Sequence, residues 1–299
     1  METTDRTPVA GTGIKPWPKG FLLSDSPALQ ELLLKPIRND GTRVNETKIR
    51  RLYLQASAQQ WYPPQRLDFE QSIEMSPEAR KVWICVMQIF YTLEKMGLNV
   101  ISNMTAKAAR RLKSEEITHY LTMQQADESR HVFVVENYLK KLGQPPTYEW
   151  KYHVLGQLAS LGFYRVENWL FSTLFSENFA SVFLRHARVA QIDPLGAELC
   201  KQIQIDESRH LHFLHIVLPD LLDQLSLAGR TYVRASQYFI MKFAAAMSGV
   251  FDSQIAQVGL NRTAILEEVF ENVERAYEGF GVNRQFLYFP EVRRPSQAH

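Results

Sequence analysis

Two stretches of the chain carry the same five residues, Asp127-Glu128-Ser129-Arg130-His131 and, about eighty positions on, Asp206-Glu207-Ser208-Arg209-His210. On an α-helix, positions i and i+3 share a face and lie about 4.5 Å apart along the axis, so each copy presents a carboxylate and an imidazole together. Such a pair suits a metal ion that takes oxygen and nitrogen donors. A lone Glu-x-x-His is more often a solvated surface pair, and the chain holds one such candidate in Glu116 and His119. Two copies that also share the flanking Asp and Arg point instead to one site built from two helices.

A helical bundle that holds two irons takes a Glu-x-x-His from each of two helices and one further Glu from each of the other two. Glu94 lies in "FYTLEKMGLNV", where an ionised carboxylate among aromatic and aliphatic neighbours is costly unless it is paired or metal-bound. At a helix rim it would instead pair with Lys or Arg. A later helix offers Glu167 and Glu177. In antiparallel neighbours, residues at one height are equidistant from the turn: the midpoint of 177 and 207 is 192, inside the turn-like "QIDP", whereas that of 167 and 207 is 187, inside helix-like sequence. Glu177 is therefore preferred, with Glu167 as the alternative. The same test on Glu94 and Glu128 gives 111, beside a turn at Lys113-Ser114.

The expected metal set is thus Glu94, Glu128, His131, Glu177, Glu207 and His210. Its carboxylates and neutral imidazoles offset most of the charge of two iron(II) ions and leave positions open for O2; a mixed Mn/Fe pair would be accommodated as well. Cys85 and Cys200 are each far from a second thiol in sequence, which argues against thiolate-bound zinc and against a disulfide framework.

The elements that must position these donors read as helices. Ser76 as N-cap and Pro77 at the first helical position open a helix over 77–112, and Ser114 opens a second that carries the first motif and stops at Gly143 and two prolines. A third is expected over 155–190, ended by Asp193-Pro194, and a fourth over 195–218, ended by Pro219. Two amphipathic segments follow, 221–249 and 261–278. This gives an all-α protein with an extended arm over 1–45, a helical domain over 46–285 and an irregular tail over 286–299.

With 34 Lys+Arg against 32 Asp+Glu, no basic footprint for nucleic acid is visible. The N-terminal residues lack an apolar run of signal-peptide length, and the most apolar later run contains Lys242, so neither export nor membrane insertion is expected. The expected home is the cytoplasm.

The doubled Asp-Glu-x-Arg-His motif resembles that of the ferritin-like di-iron carboxylate superfamily, specifically its O2-activating branch, over roughly 60–220. "QWYPPQRLDF" is similar to the lead-in of ribonucleotide-reductase small-subunit relatives. The resemblance implies a ferritin-like four-helix bundle core with additional C-terminal helices. By analogy with soluble hydroxylase relatives, Asp127 would orient His210 and Asp206 would orient His131, with Arg130 and Arg209 tying the carboxylates together. Ser181, one turn after Glu177, would assist O2 or proton delivery.

Departures from the relatives are equally specific. Val135 stands where a reductase subunit carries its radical tyrosine, Met96 stands where other relatives form a Val–Tyr crosslink, and Ile203 stands where the arylamine N-oxygenase branch has a further histidine ligand. The resulting expectation is a di-iron oxygenase that hydroxylates or N-oxygenates a small apolar or aromatic molecule, with Phe90, Phe133, Phe175, Phe179 and Phe183 lining its cavity. The rivals are an iron-oxidising, ferritin-like protein without an organic substrate and a reductase-subunit-like oxidase. No Gly-x-Gly-x-x-Gly fingerprint is found, so electrons are expected from a separate ferredoxin or reductase. A homodimer is compatible with this reading.

Overall fold

The first helix among the described residues, α1 (Glu46–Ala58), starts where the Asn45 side chain accepts a hydrogen bond from Lys48 N at 3.1 Å. This element was not anticipated. It buries Ile49, Leu52 and Ala56, a three-to-four spacing short enough to be lost beside the turn-rich residues before it. The structure, a computed structural model, describes residues 44–147, 165–248 and 255–281, without the side chains of 239–248. All of these lie in one unit, Pro36–His299. The expected arm before residue 44, the tail over 286–299 and the start of the third helix over 155–164 lie outside the described residues.

A single turn, α2 (Pro63–Arg66), leads to α3 (Pro77–Leu112), whose N-cap Ser76 accepts from Ala79 N at 3.2 Å. Lys113 leaves α3 in the left-handed conformation, φ 53°, and α4 (Glu115–Lys141) returns alongside it. Ser114 occupies the expected N-cap position, but its hydroxyl makes no capping bond and is buried without a partner. α4 ends at Gly143, whose φ of +94° is one that glycine adopts without strain.

The second pair is α5 (Val166–Ala190) and α6 (Pro194–Gln224). The turn between them holds Gln191 at φ 48°, and Asp193 caps α6 by accepting from Gly196 N at 2.7 Å. Contrary to expectation, α6 runs through Pro219 to Gln224. A proline removes one donor and its ring crowds the preceding turn, yet Leu214, Val217, Leu218, Leu221 and Leu222 are all buried on this stretch. The apolar face on both sides of the proline outweighs that local cost.

α3 packs on α4, α5 on α6, and the two pairs meet through α4–α6 and α3–α5. α1 lies across α4 and α6, while α7 (Leu227–Ser248) and α8 (Arg262–Gly279) cover α5. No strand occurs among the described residues. The fold is a ferritin-like helical bundle with additional C-terminal helices. By length and composition α3 is apolar enough to cross a membrane.

A buried polar contact locks the pairs together. Trp83 Nε1 donates to the Tyr138 hydroxyl at 2.6 Å, and that hydroxyl donates to Asp193. Gly196 lies beneath this contact: a Cβ there would sit 2.5 Å from the Tyr138 oxygen and 2.7 Å from Asp193 Oδ2. Gly196→Ala is expected to displace the tyrosine and cost about 1–3 kcal/mol, read as a lower urea midpoint with an unchanged slope.

Candidate metal centre

Each central helix contributes inward-facing polar groups at matching height. Oxygen and nitrogen atoms of Glu128, Glu177, Glu207 and His210 lie within 4.8 Å of one another, and so do those of Glu94, His131 and Glu207. Glu207 belongs to both groups. His131 Nδ1 faces Glu94 Oε2 at 3.2 Å and Glu207 Oε1 at 3.4 Å. His210 Nδ1 faces Glu207 Oε2 at 3.1 Å, Glu177 Oε2 at 3.4 Å and Glu128 Oε1 at 3.5 Å. Both imidazoles therefore turn the same nitrogen toward the carboxylates.

The opposite nitrogens turn to aspartates on the partner helix. His131 Nε2 lies 3.0 Å from Asp206 Oδ2, and His210 Nε2 lies 3.4 Å from Asp127 Oδ2. Arg130 donates to Asp127 and, at 3.1 Å, to Asp206; Arg209 donates to Asp206 and, at 3.1 Å, to Asp127. The aspartates and arginines thus form a closed square behind the imidazoles. Carboxylates that accept an imidazole N–H fix the ring and raise the basicity of its other nitrogen.

The electrostatics show what this cluster lacks. Burial, reinforced by Glu94 and Glu207, pushes the Glu128 carboxyl well above its ordinary value; burial and the charge of Glu207 raise Glu94; burial and Glu177 push Glu207 up to about 8. Burial alone would keep both imidazoles neutral, but hydrogen bonds and negative charge from the surrounding carboxylates outweigh it and raise them well above the ordinary histidine range. Asp206, despite its burial, is lowered by the His131 hydrogen bond and by Arg209. A buried group of carboxylates whose proton affinity is raised by burial and by one another's charge is short of positive charge, which divalent cations would supply. Oxygen-rich donors with two imidazoles fit iron.

Glu167 lies elsewhere. Its carboxylate accepts from Arg111 Nε at 2.7 Å and faces Arg165 Nε at 3.5 Å, and a hydrogen bond from its own backbone N–H together with these arginines holds it below its usual value against the effect of burial. Glu167→Ala is expected to leave bound iron unchanged, whereas Glu177→Ala lowers it by about one ion per chain; metal analysis of the two purified variants separates them. Glu116 pairs with Arg50, and His119 is exposed beside the Tyr53 ring, so this Glu-x-x-His takes no part.

Ser181 is half-buried one turn beyond Glu177. Phe90, Phe175 and Phe183 are buried, with Phe90 and Phe179 both stacked or tilted against Phe183. Phe133 is a correction: it is 53% exposed, because two residues after inward-facing His131 a helix has turned about 200° away.

Three contributors were missed. Gln124 Nε2 donates to Glu177 Oε1 at 3.1 Å. It stands four residues before Glu128, the place that the fully buried Ile203 takes before Glu207, so the motif helices differ at that turn. Gln60 Nε2 and Trp61 Nε1 donate to Asp127 and Asp206, each at 2.8 Å. Only the lead-in around Trp61 gave a sequence signal for any of them.

The family model described as p-aminobenzoate N-oxygenase AurF matches residues 58–278. The chain belongs to the AurF family. AurF membership holds although Ile203 replaces the additional histidine that the N-oxygenase resemblance would have placed there. A solved structure described as a protein with aldehyde deformylating oxidase activity from Synechococcus shares the fold: TM-score 0.59 at 20% identity, covering 74% of this chain and 99% of that one. No curated protein matches the chain significantly. As a member of the AurF family, the protein is an O2-dependent di-iron oxygenase that acts on an organic substrate.

Proposed function

We propose that Glu94, Glu128, His131, Glu177, Glu207 and His210 hold two irons and that the protein oxygenates the nitrogen of a small aromatic amine. The site assignment is carried by one observation, the sharing of Glu207 between two buried donor groups that each contain an imidazole. The substrate class is supported by the family's description and by the buried rings of Phe90, Phe175 and Phe183. When bound, the metals supply O2 activation. The chain's own residues do the rest: Asp127 and Asp206 orient the imidazoles, Arg130 and Arg209 donate to those carboxylates and tie them together, and the apolar helix faces exclude water. Ser181 offers a hydroxyl near Glu177 for proton delivery.

We also propose that residues 46–285 form the working domain and that electrons arrive from a separate ferredoxin-type donor or reductase, since no dinucleotide fingerprint occurs in the sequence. A cytoplasmic home, a homodimer, and the lack of membrane or nucleic-acid partners belong to the same reading. Burial of Glu94 on α3 supports a helix that serves a bundle core rather than a bilayer.

The test is to reduce the iron-loaded protein without oxygen, mix it with 18O2 and a panel of small aromatic amines, and weigh the products. The expected result is an N-oxygenated product carrying 18O. Iron that oxidises with no substrate-dependent product across the panel would favour the iron-oxidising rival.

A further inference from the structure

The short segment Gln59–Trp61, between α1 and α2, reaches both orienting aspartates from outside the bundle. Trp61 Nε1 donates to Asp206 Oδ2 at 2.8 Å. Gln60 Nε2 donates to Asp127 Oδ1 at 2.8 Å, and Gln60 Oε1 accepts from Arg130 Nη1 at 2.5 Å. Gln59 Oε1 accepts from Arg209 Nη1 at 3.2 Å, and the Arg130 guanidinium lies 5.0 Å from the Trp61 ring centroid. Every corner of the Asp–Arg square is therefore touched by three consecutive residues.

The two donors differ in setting. Trp61 is 8% exposed, whereas Gln60 is exposed. A hydrogen bond screened from water holds its acceptor more tightly than one that shares it with solvent. Each donor also sits on a different line of atoms: Trp61 to Asp206 to His131, and Gln60 to Asp127 to His210. An N–H given to an aspartate draws on its charge and weakens its pull on the imidazole N–H, so the imidazole's other nitrogen becomes a poorer electron donor.

We propose that Trp61 is a positioning residue for the His131 side of the centre, acting through Asp206, and that Gln60 acts more weakly on the His210 side through Asp127. One loop thereby adds to the inequality of the two metal positions, although the sequence motifs that build them are the same. The inference rests on the reading that His131 and His210 are metal ligands.

The experiment loads the full chain with iron-57 and records Mössbauer spectra of wild type, Trp61→Phe and Gln60→Leu, with iron content measured on each sample. A further sample carries benzothienylalanine at position 61, which keeps the shape of the indole and removes only its N–H. The expected result is two irons in all four proteins, one quadrupole doublet displaced beyond its linewidth by both changes at 61, and a smaller displacement of the other doublet in Gln60→Leu. Unchanged doublets in the benzothienylalanine protein, or equal displacement of both, would overturn the positioning role while leaving the metal site standing. A wild type that binds no iron would overturn the site and this role together.

Discussion

Glu207→Ala is expected to take bound iron from two ions per chain to fewer than one, the largest loss from any single replacement at the site. Glu207 is the one residue common to both donor groups, so its removal opens both positions at once. Replacing an outer partner of a metal ligand typically costs about 10–100-fold in affinity, and losing a shared ligand exceeds that. The metal-free variant should fold at least as well as metal-free wild type, because one of several mutually repelling buried carboxylates is gone. Metal-loaded wild type should gain thermal stability over both by mass action. Metal analysis and melting curves with and without iron give the crossing. If iron stays at two per chain, Glu207 is not shared in the bound state.

Arg209→Met is expected to destabilise the metal-free protein by about 3–5 kcal/mol, the usual cost of stripping one partner from a buried ion pair. Arg209 is 3% exposed and donates to both Asp127 and Asp206. Its loss leaves two buried carboxylates with Arg130 and the two imidazoles that they already orient. Trp61 and Gln60 donate to them still, but neutral N–H groups cannot replace a charge. Equilibrium unfolding in urea reads the effect, and a change below about 1 kcal/mol would mean that the square behaves as a solvated ion-pair cluster.

What could be read from the sequence followed from local rules. The Ser76–Pro77 start of α3 and the stop of α5 before Asp193–Pro194 are backbone chemistry, and the structure has both. Short turns force antiparallel neighbours into register, which is why Glu177 shares a donor group with Glu207 across the turn at Gln191–Asp193 while Glu167 is left beside Arg111. Pro219 misled because a proline's local cost was weighed without the apolar face flanking it. Gln124, and the role of Gln60 within the quoted lead-in, were invisible for another reason. Amides are common on helices and loops, and what matters here is the carboxylate each one meets, more than 50 residues away in the chain.

The crossed arrangement of aspartates and histidines also bears on the order of events in making the active protein. Asp206 on α6 serves His131 on α4, and Asp127 on α4 serves His210 on α6. Neither helical hairpin holds an imidazole together with the carboxylate that aims it, so a half-built chain carries the proposed donors without their aim. The aimed geometry exists only where both hairpins are docked. On the proposed site, affinity for iron would then report on completed folding, with a misdocked hairpin expected to bind more weakly than the docked bundle.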